Sequence, residues 1–412
     1  MTDLIAGSIH DSRAGRGYAA LVPDAGTAAI APVLAAAAVA TVASAAMTRS
    51  LIAIGHRAGA LESAGAPGHV KELRPVPNIG GVAVAASVLV PLAAALALAA
   101  GIGGERLADW APSLAESAAR LGDTARPALA ILLGALALHL TGVVDDRRAL
   151  RPLPKLLVQL AVAFGTVSFG GVRALTFLDA YPGGIWVSVL LSGAFIVAIV
   201  NAVNFLDNMD GLSGGVSAIA AAALCVAACV ARQWATAGVL ALLAGGLLGF
   251  LVYNFPWRAG QRARIFLGDG GTLPVGFLLS ALAIQITFTS PGDPGYALGT
   301  HWYGALAPVV ILAVPIYDSV VVTLLRLSQG KSPMVGDHQH FSHRMVMRGF
   351  TQRGAVLLIC AFGVVCSTGG LLLGTAEPWQ AALVALQTGI VMVAIAALER
   401  PMLARMRAGE RP

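Results

Sequence analysis

About eleven apolar runs follow one another along this chain, each near the ~20 residues that a transmembrane helix needs. Nothing else in the sequence constrains the fold as strongly. The runs cover 27–47, 79–100, 127–144, 156–172, 184–204, 214–231, 234–254, 272–289, 303–325, 354–374 and 378–398. Only Arg232 and Gln233 divide the stretch 214–254. The expected fold is an all-α, polytopic integral membrane protein with about 11 transmembrane helices. Charged residues make up 12% of the chain, against about 25% in a soluble globular protein. No polar stretch exceeds about 30 residues, so a separate soluble domain is not expected. The organisation reads as a polar segment at 1–25, one multispanning domain at 26–400 and a basic tail at 401–412. Residues 1–25 carry acids and lack the basic start and short apolar core of a signal peptide. Cys225, Cys229, Cys360 and Cys366 lie inside apolar runs without a C-x-x-C pair, and read as packing residues.

Lysine and arginine set the orientation. The loops after runs 1, 3, 7 and 9, with the tail, hold 20 of the 27 basic residues. That side is expected to be cytoplasmic, giving N-out and C-in. The net charge of +6 then reflects topology and anionic lipid, not nucleic-acid binding. In the outer loop 101–126, Leu107, Trp110, Leu114, Ala118 and Leu121 fall at helical spacing. This is either an interfacial amphipathic helix or a short helix packed on the protein.

The acids are not scattered. Asp145, Asp146, Asp207, Asp210, Asp269 and Asp337 all fall at span ends on the expected cytoplasmic side, and Asp318 lies within a span. An ionisable group inside a membrane helix costs about 2.5–3.5 kcal/mol on insertion scales and usually faces a cavity. Asp145 and Asp146 close a helix at its partially negative end, where two acids are disfavoured. Arg147 and Arg148 could compensate them. So could Mg²⁺, which takes one or two protein carboxylates and fills its shell with phosphates and water. In "NAVNFLDNMDGLSGG" (201–215), Asn201, Asn204, Asp207 and Asp210 recur every third residue and drift slowly across one helical face. A polar helix end exposed to the cytoplasm is the alternative, and four polar groups in phase weigh against it.

In "RIFLGDGGTLPVG" (264–276), glycines surround Asp269 just before a helix start. Backbone N–H groups there attract phosphate, and a plain N-cap aspartate is the alternative. In "KSPMVGDHQHFSHRMVMRG" (331–349), His338, His340 and His343 share a loop with Lys331, Arg344 and Arg348. Phosphate binding suits this set better than zinc, because no cysteine completes a structural zinc site. A solvated loop is the alternative. Lys71 and Arg74 precede two prolines and a glycine pair, and read on their own as an ordinary basic loop.

Together these stretches resemble the polyprenyl-phosphate N-acetylhexosamine-1-phosphate transferases, membrane enzymes of the glycosyltransferase family 4 type. The resemblance covers about residues 50–350. The paired aspartates look like Asp145 and Asp146, and the Lys-x-x-x-Gln that follows them looks like Lys155 and Gln159. The Asn-x-x-Asn-x-x-Asp-Gly-x-Asp-Gly-Leu pattern looks like Asn201, Asn204, Asp207, Asp210, Gly211 and Leu212. The Gly-Asp-x-Gly-Ser loop looks like Gly268, Asp269, Gly271 and Thr272, and the late histidine loop looks like Asp337, His340, His343 and Arg344. Three positions depart from the pattern. Asn208 replaces a glycine, Thr272 replaces a serine and Ser342 replaces the middle histidine. The loop is closer to the branch that uses UDP-N-acetylhexosamines than to the muramoyl-pentapeptide branch, with its three consecutive histidines.

The resemblance implies a bacterial cytoplasmic (inner) membrane enzyme with its active site on the cytoplasmic face. Its substrates would be undecaprenyl phosphate and a UDP-N-acetylhexosamine, with GlcNAc favoured. Undecaprenyl-diphosphate-sugar and UMP would be the products, in a first membrane step of envelope glycan assembly. Mg²⁺ would serve as cofactor with Mn²⁺ as substitute, and a homodimer is compatible. By the resemblance, Asp146 and Asp269 ligate the metal with Asp145 beside them. Lys71, Lys155, His340 and Arg344 hold phosphates. Asn204, Asp207 and Asp210 contact the nucleotide or order the metal shell, while Gly268 and His343 complete the substrate contacts. The lipid phosphate has a second pKa near 6 and is mostly dianionic at pH 7, so it can attack without a base. The competing classes are phospho-N-acetylmuramoyl-pentapeptide transferase, membrane transporter and inactive scaffold homologue.

Overall fold

The computed structural model describes residues 24–59, 75–102, 121–287, 302–330 and 340–407, and all regular structure among them is helical. The helices are α1 (Asp24–Arg57), α2 (Gly81–Ile102), α3 (Leu121–Arg147), α4 (Pro152–Ser168), α5 (Gly184–Phe205), α6 (Leu212–Val230) and α7 (Trp234–Asn254). There follow α8 (Asp269–Thr287), α9 (Ala307–Ile311), α10 (Ala313–Ser328), α11 (Phe341–Met347), α12 (Gln352–Leu373) and α13 (Pro378–Arg407). Short 3₁₀ turns occupy Thr176–Ala180 and Trp302–Leu306.

Nine of these helices are long and apolar enough to cross a membrane, among the described residues. Every expected run is helical, but two are not simple spans. The run at 156–172 folds as α4, which starts at Pro152 and has 17 residues. At 1.5 Å per residue that is about 25 Å, short of a ~30 Å hydrocarbon core. The run at 303–325 breaks into Tyr303–Ile311 and Ala313–Ser328, bent by 73°. Pro315 lies just inside the second piece. Proline lacks an N–H and clashes with the carbonyl four residues back, which here is Ile311, so the helix breaks there. Counted as one span, the bent pair brings the total to ten. The 214–254 stretch is two helices, as expected: the chain turns at Arg232, which has φ +56°. The buried Gln233 side chain then ties that turn to the Ile286 carbonyl. Of the loop helix expected from Leu107 to Leu121, all but Leu121, which opens α3, lies outside the described residues, as do Lys71, Arg74, Asp337 and His338.

α8 is the axis of the bundle. Every residue from Gly270 to Ile284 is buried, and α2, α3, α5, α6 and α7 all pack on it. In contrast, the outer helices α1 and α13 present Leu34, Val42, Leu386 and Val393 outward. Apolar surface gives no drive for helices to associate in lipid, so close packing and interhelical hydrogen bonds must do it. The buried Ser44 hydroxyl of α1 accordingly donates to the Gly246 carbonyl of α7 at 2.6 Å. The four cysteines are free thiols inside helices, in line with packing roles.

Candidate active site

The end of α3, the starts of α2 and α8, and the end of α5 meet at one end of the bundle. Backbone pairing begins the assembly. Phe266 N–H donates to the Pro77 carbonyl, and Gly80 and Gly81 N–H donate to the Phe266 and Leu267 carbonyls, each at 2.9 Å. Residues 77–81 are thereby strapped to the segment that leads into α8. Two close approaches then require glycine. A Cβ on Gly142 would sit 2.1 Å from the Asp269 carbonyl oxygen, which lets α3 touch the α8 start backbone to backbone. Gly268 has φ +67°, a left-handed conformation, and a Cβ there would sit 2.6 Å from an Asp146 oxygen.

This packing answers how two acids survive at a helix C-terminus. Asp146 accepts the Asp269 and Gly270 N–H groups at 2.9 Å each, and the Asn78 amide at 2.9 Å. The N–H groups belong to the partially positive start of α8. Asp145 is compensated separately. One oxygen accepts the Leu150 N–H at 2.6 Å, and the other takes the Lys155 ammonium at 3.0 Å. Lys155 also pairs with Asp269. Arg147 and Arg148, offered by the sequence as compensating charges, are exposed. Their distance along the chain was right, but helix packing placed a lysine from α4 and backbone dipoles from α8 closer.

Asp269 completes the centre. Its second oxygen accepts the Asn204 amide at 2.7 Å, and Asn204 also donates to Thr272 at 2.8 Å. The hydroxyl that Thr272 retains in place of serine therefore has a use. The expectation that Asn201, Asn204, Asp207 and Asp210 share one helical face needs correction. α5 stops at Phe205, so only the two asparagines are helical. Asn201 turns to Gln159 at 2.6 Å. Asp207 and Asp210 lie in the following turn and grip the 263–268 segment, accepting N–H groups of Gly268 at 3.2 Å and Ala263 at 2.8 Å. Gly211, at φ +80°, ends that turn.

The histidine segment forms a second, adjoining cluster. His340 is 5% exposed. Its Nδ1 lies 2.8 Å from an Asp318 oxygen, and the other Asp318 oxygen accepts the Phe341 N–H at 2.6 Å. Arg344 is fully buried 4.0 Å from Asp318. His343 is half-buried on the same short helix. Phe205 links the clusters. Its ring meets His340 edge-on at 5.8 Å and lies 5.4 Å from the Arg326 guanidinium carbon. Asp318, which the sequence placed within a span, is thus an anchor for the histidine segment, paired inside the protein.

Sequence reasoning missed Asn78, which holds Asp146, and His139, whose Nδ1 lies 2.6 Å from the Gly270 carbonyl oxygen. It also missed Asn254, which accepts Gly211 N–H and donates to the Ile265 carbonyl, both at 2.8 Å. Each is a lone polar side chain in an otherwise apolar stretch, and that isolation was the available signal.

Among the described residues no three His, Cys, Asp or Glu side chains close around a metal. The centre instead gathers Asp145 and Asp269 around a single ammonium, with Asp146 on the backbone N–H groups of residues 269 and 270 and Asp207 on that of Gly268. That excess of carboxylate fits an open site that a hard cation shares with phosphate, the usual arrangement for Mg²⁺.

Known proteins are similar to this chain in sequence. The family model for glycosyl transferase family 4 matches residues 128–287. A decaprenyl-phosphate N-acetylglucosaminephosphotransferase of Mycolicibacterium smegmatis is 30% identical over 354 residues, 80% of each chain. The enzyme of the same name from Mycobacterium leprae is 32% identical over 60% of this chain and 67% of its own length. An Escherichia coli undecaprenyl-phosphate alpha-N-acetylglucosaminyl 1-phosphate transferase is 28% identical over 56% and 61%. The matched region 128–287 runs from within α3 to the end of α8 and includes all the central carboxylates. The chain belongs to the polyprenyl-phosphate N-acetylhexosamine-1-phosphate transferase family, within glycosyl transferase family 4.

Proposed function

We propose that this protein transfers N-acetylglucosamine 1-phosphate from UDP-N-acetylglucosamine to undecaprenyl phosphate at the cytoplasmic face of the bacterial inner membrane. A lipid-phosphate oxygen attacks the sugar-side phosphorus. The new bond gives undecaprenyl-diphosphate-N-acetylglucosamine, the phosphoanhydride bond breaks, and UMP leaves with its electron pair. The observation that carries this reading is the convergence of Asp145, Asp146, Asp269, Asn204 and Lys155 at one end of an apolar bundle. A polyprenyl chain needs apolar helices, and a diphosphate needs cations and donors at their ends.

Phosphoryl transfer asks the protein mainly to position reactants and neutralise charge. Mg²⁺ held by Asp146 and Asp269 would neutralise the diphosphate and the departing UMP. Lys155 holds Asp145 and Asp269 in register and supplies a positive charge beside the phosphates. Asn204 fixes the orientation of Asp269. Asp207 and Asp210 shape the 263–268 loop that borders the nucleotide. Gly268 lets the loop pass directly against Asp146 and Asn78, which sets the entry to α8. By the family resemblance, Lys71, His340, His343 and Arg344 are assigned to substrate binding. The names of the relatives favour N-acetylglucosamine over the muramoyl-pentapeptide, and the pairing of Asp318 within the protein gives a transporter no free intramembrane acid there.

The test is incubation of membranes with undecaprenyl phosphate and a panel of UDP-sugars, followed by mass spectrometry of the lipid product. A diphosphate-linked N-acetylhexosamine is expected, with UDP-N-acetylglucosamine as preferred donor. Product only from UDP-muramoyl-pentapeptide, or none from any donor while the protein is folded, would reject the proposal.

A further inference from the structure

Two of the departures from the family pattern touch each other. Asn208 and Ser342 are 134 residues apart, yet the Ser342 hydroxyl donates to Asn208 Oδ1. Asn208 in turn donates through Nδ2 to the Phe205 carbonyl at 2.7 Å. That carbonyl is one of those left without a helical partner where α5 ends. Asn208 therefore caps α5 with one end of its amide and receives α11 with the other. Ser342 is 1% exposed, so its hydroxyl has no water to fall back on.

The position of this contact gives it a consequence. Asp207 and Asp210, either side of Asn208, grip the loop that leads to Asp269. Ser342 lies between His340 and His343, on the segment anchored by Asp318. The turn 206–211 is therefore a bridge, with carboxylates reaching one cluster and Asn208 reaching the other. A glycine at 208 could make neither hydrogen bond. A histidine at 342 would need the room that the Asn208 side chain fills.

We infer that Asn208 and Ser342 form a matched latch that sets the register of the histidine segment against the carboxylate centre. They are positioning residues for the transfer reaction, and this role rests on the function proposed above. The latch itself rests on geometry alone. In this chain a single hydrogen bond joins the two positions.

A double-mutant cycle tests it in detergent-purified protein, with N208A, S342A and the double variant read by both melting temperature and steady-state transfer. Each single variant is expected to lower kcat by roughly tenfold, the scale of one buried hydrogen bond. The double variant should lose no more than N208A alone, which also gives up the α5 cap, with the KM for the lipid unchanged. S342H should lose activity, and N208G/S342H should regain most of it. Additive losses in melting temperature overturn the latch. Coupled melting temperatures with wild-type kcat in every variant overturn the positioning role, as does failure of N208G to rescue S342H. If wild-type protein transfers no sugar from any donor, the proposed reaction falls, and the melting-temperature cycle still decides the latch.

Discussion

Asp269→Asn changes no volume and removes one charge from the centre of the carboxylate cluster. Its effect can be followed atom by atom. The amide can still accept from Asn204, so the bond at 2.7 Å survives. Its N–H₂ end, however, faces the Lys155 ammonium, donor against donor, where a carboxylate oxygen had paired with it. Lys155 then keeps only Asp145, at 3.0 Å. A hydrogen bond to a charged group is worth about 1.5–3 kcal/mol. Lost from the transition state, that is roughly 10- to 150-fold in rate. Loss of a metal ligand adds several kcal/mol of charge stabilisation, taking the expected fall in kcat beyond about 10³-fold. Folding should suffer less, because Asp145 still neutralises Lys155. The assay is conversion of radiolabelled UDP-N-acetylglucosamine to lipid product in membranes, beside the melting temperature of purified protein. Near-normal turnover at ordinary Mg²⁺ would refute the assignment. A collapse of melting temperature with unchanged activity in the surviving protein would show that Asp269 serves folding alone.

The other predictions concern the groups that hold the centre. Asn78→Ala removes one of three donors to Asp146 and should cost about 1.5 kcal/mol, near tenfold in kcat/KM, measured by the same transfer assay. Asp318→Ala strips both His340 and Phe341 of a hydrogen-bond partner and removes the carboxylate 4.0 Å from the buried Arg344. A broken buried pair costs about 3–5 kcal/mol, so a drop of many degrees is expected in thermal unfolding. Removal of divalent ions by a chelator should abolish transfer, and Mg²⁺ should restore it with Mn²⁺ as substitute. Full activity in excess chelator would exclude the open metal site.

How far the chain could be read in advance differed between its levels. Helix existence is a local property. A run of about 20 apolar residues must satisfy its own backbone in lipid, so its helicity is written in its length. The break at 312 was harder to see, because Pro308 and Pro315 sit in a run as apolar as the others. Asp145, Asp146, Asp207, Asp210 and Asp269 were singled out because acids at the ends of apolar helices are conspicuous, and the structure does draw them to one end of the bundle. Their partners were not conspicuous. Nothing near Asp146 in sequence points to Asn78, or to the N–H groups of residues 269 and 270.

By itself, then, the sequence determined a bundle of membrane helices with its acids gathered at their ends, because hydropathy and charge act on each segment separately. The tertiary structure alone decided that Lys155 rather than Arg147 or Arg148 meets those acids, that Asp207 and Asp210 leave the helix on which their spacing seemed to place them, and that Asn208 finds Ser342. Such choices depend on which helix ends pack together. That packing follows from small-residue contacts such as Gly142 against Asp269, where two backbones separated by more than a hundred residues come close enough to share hydrogen bonds.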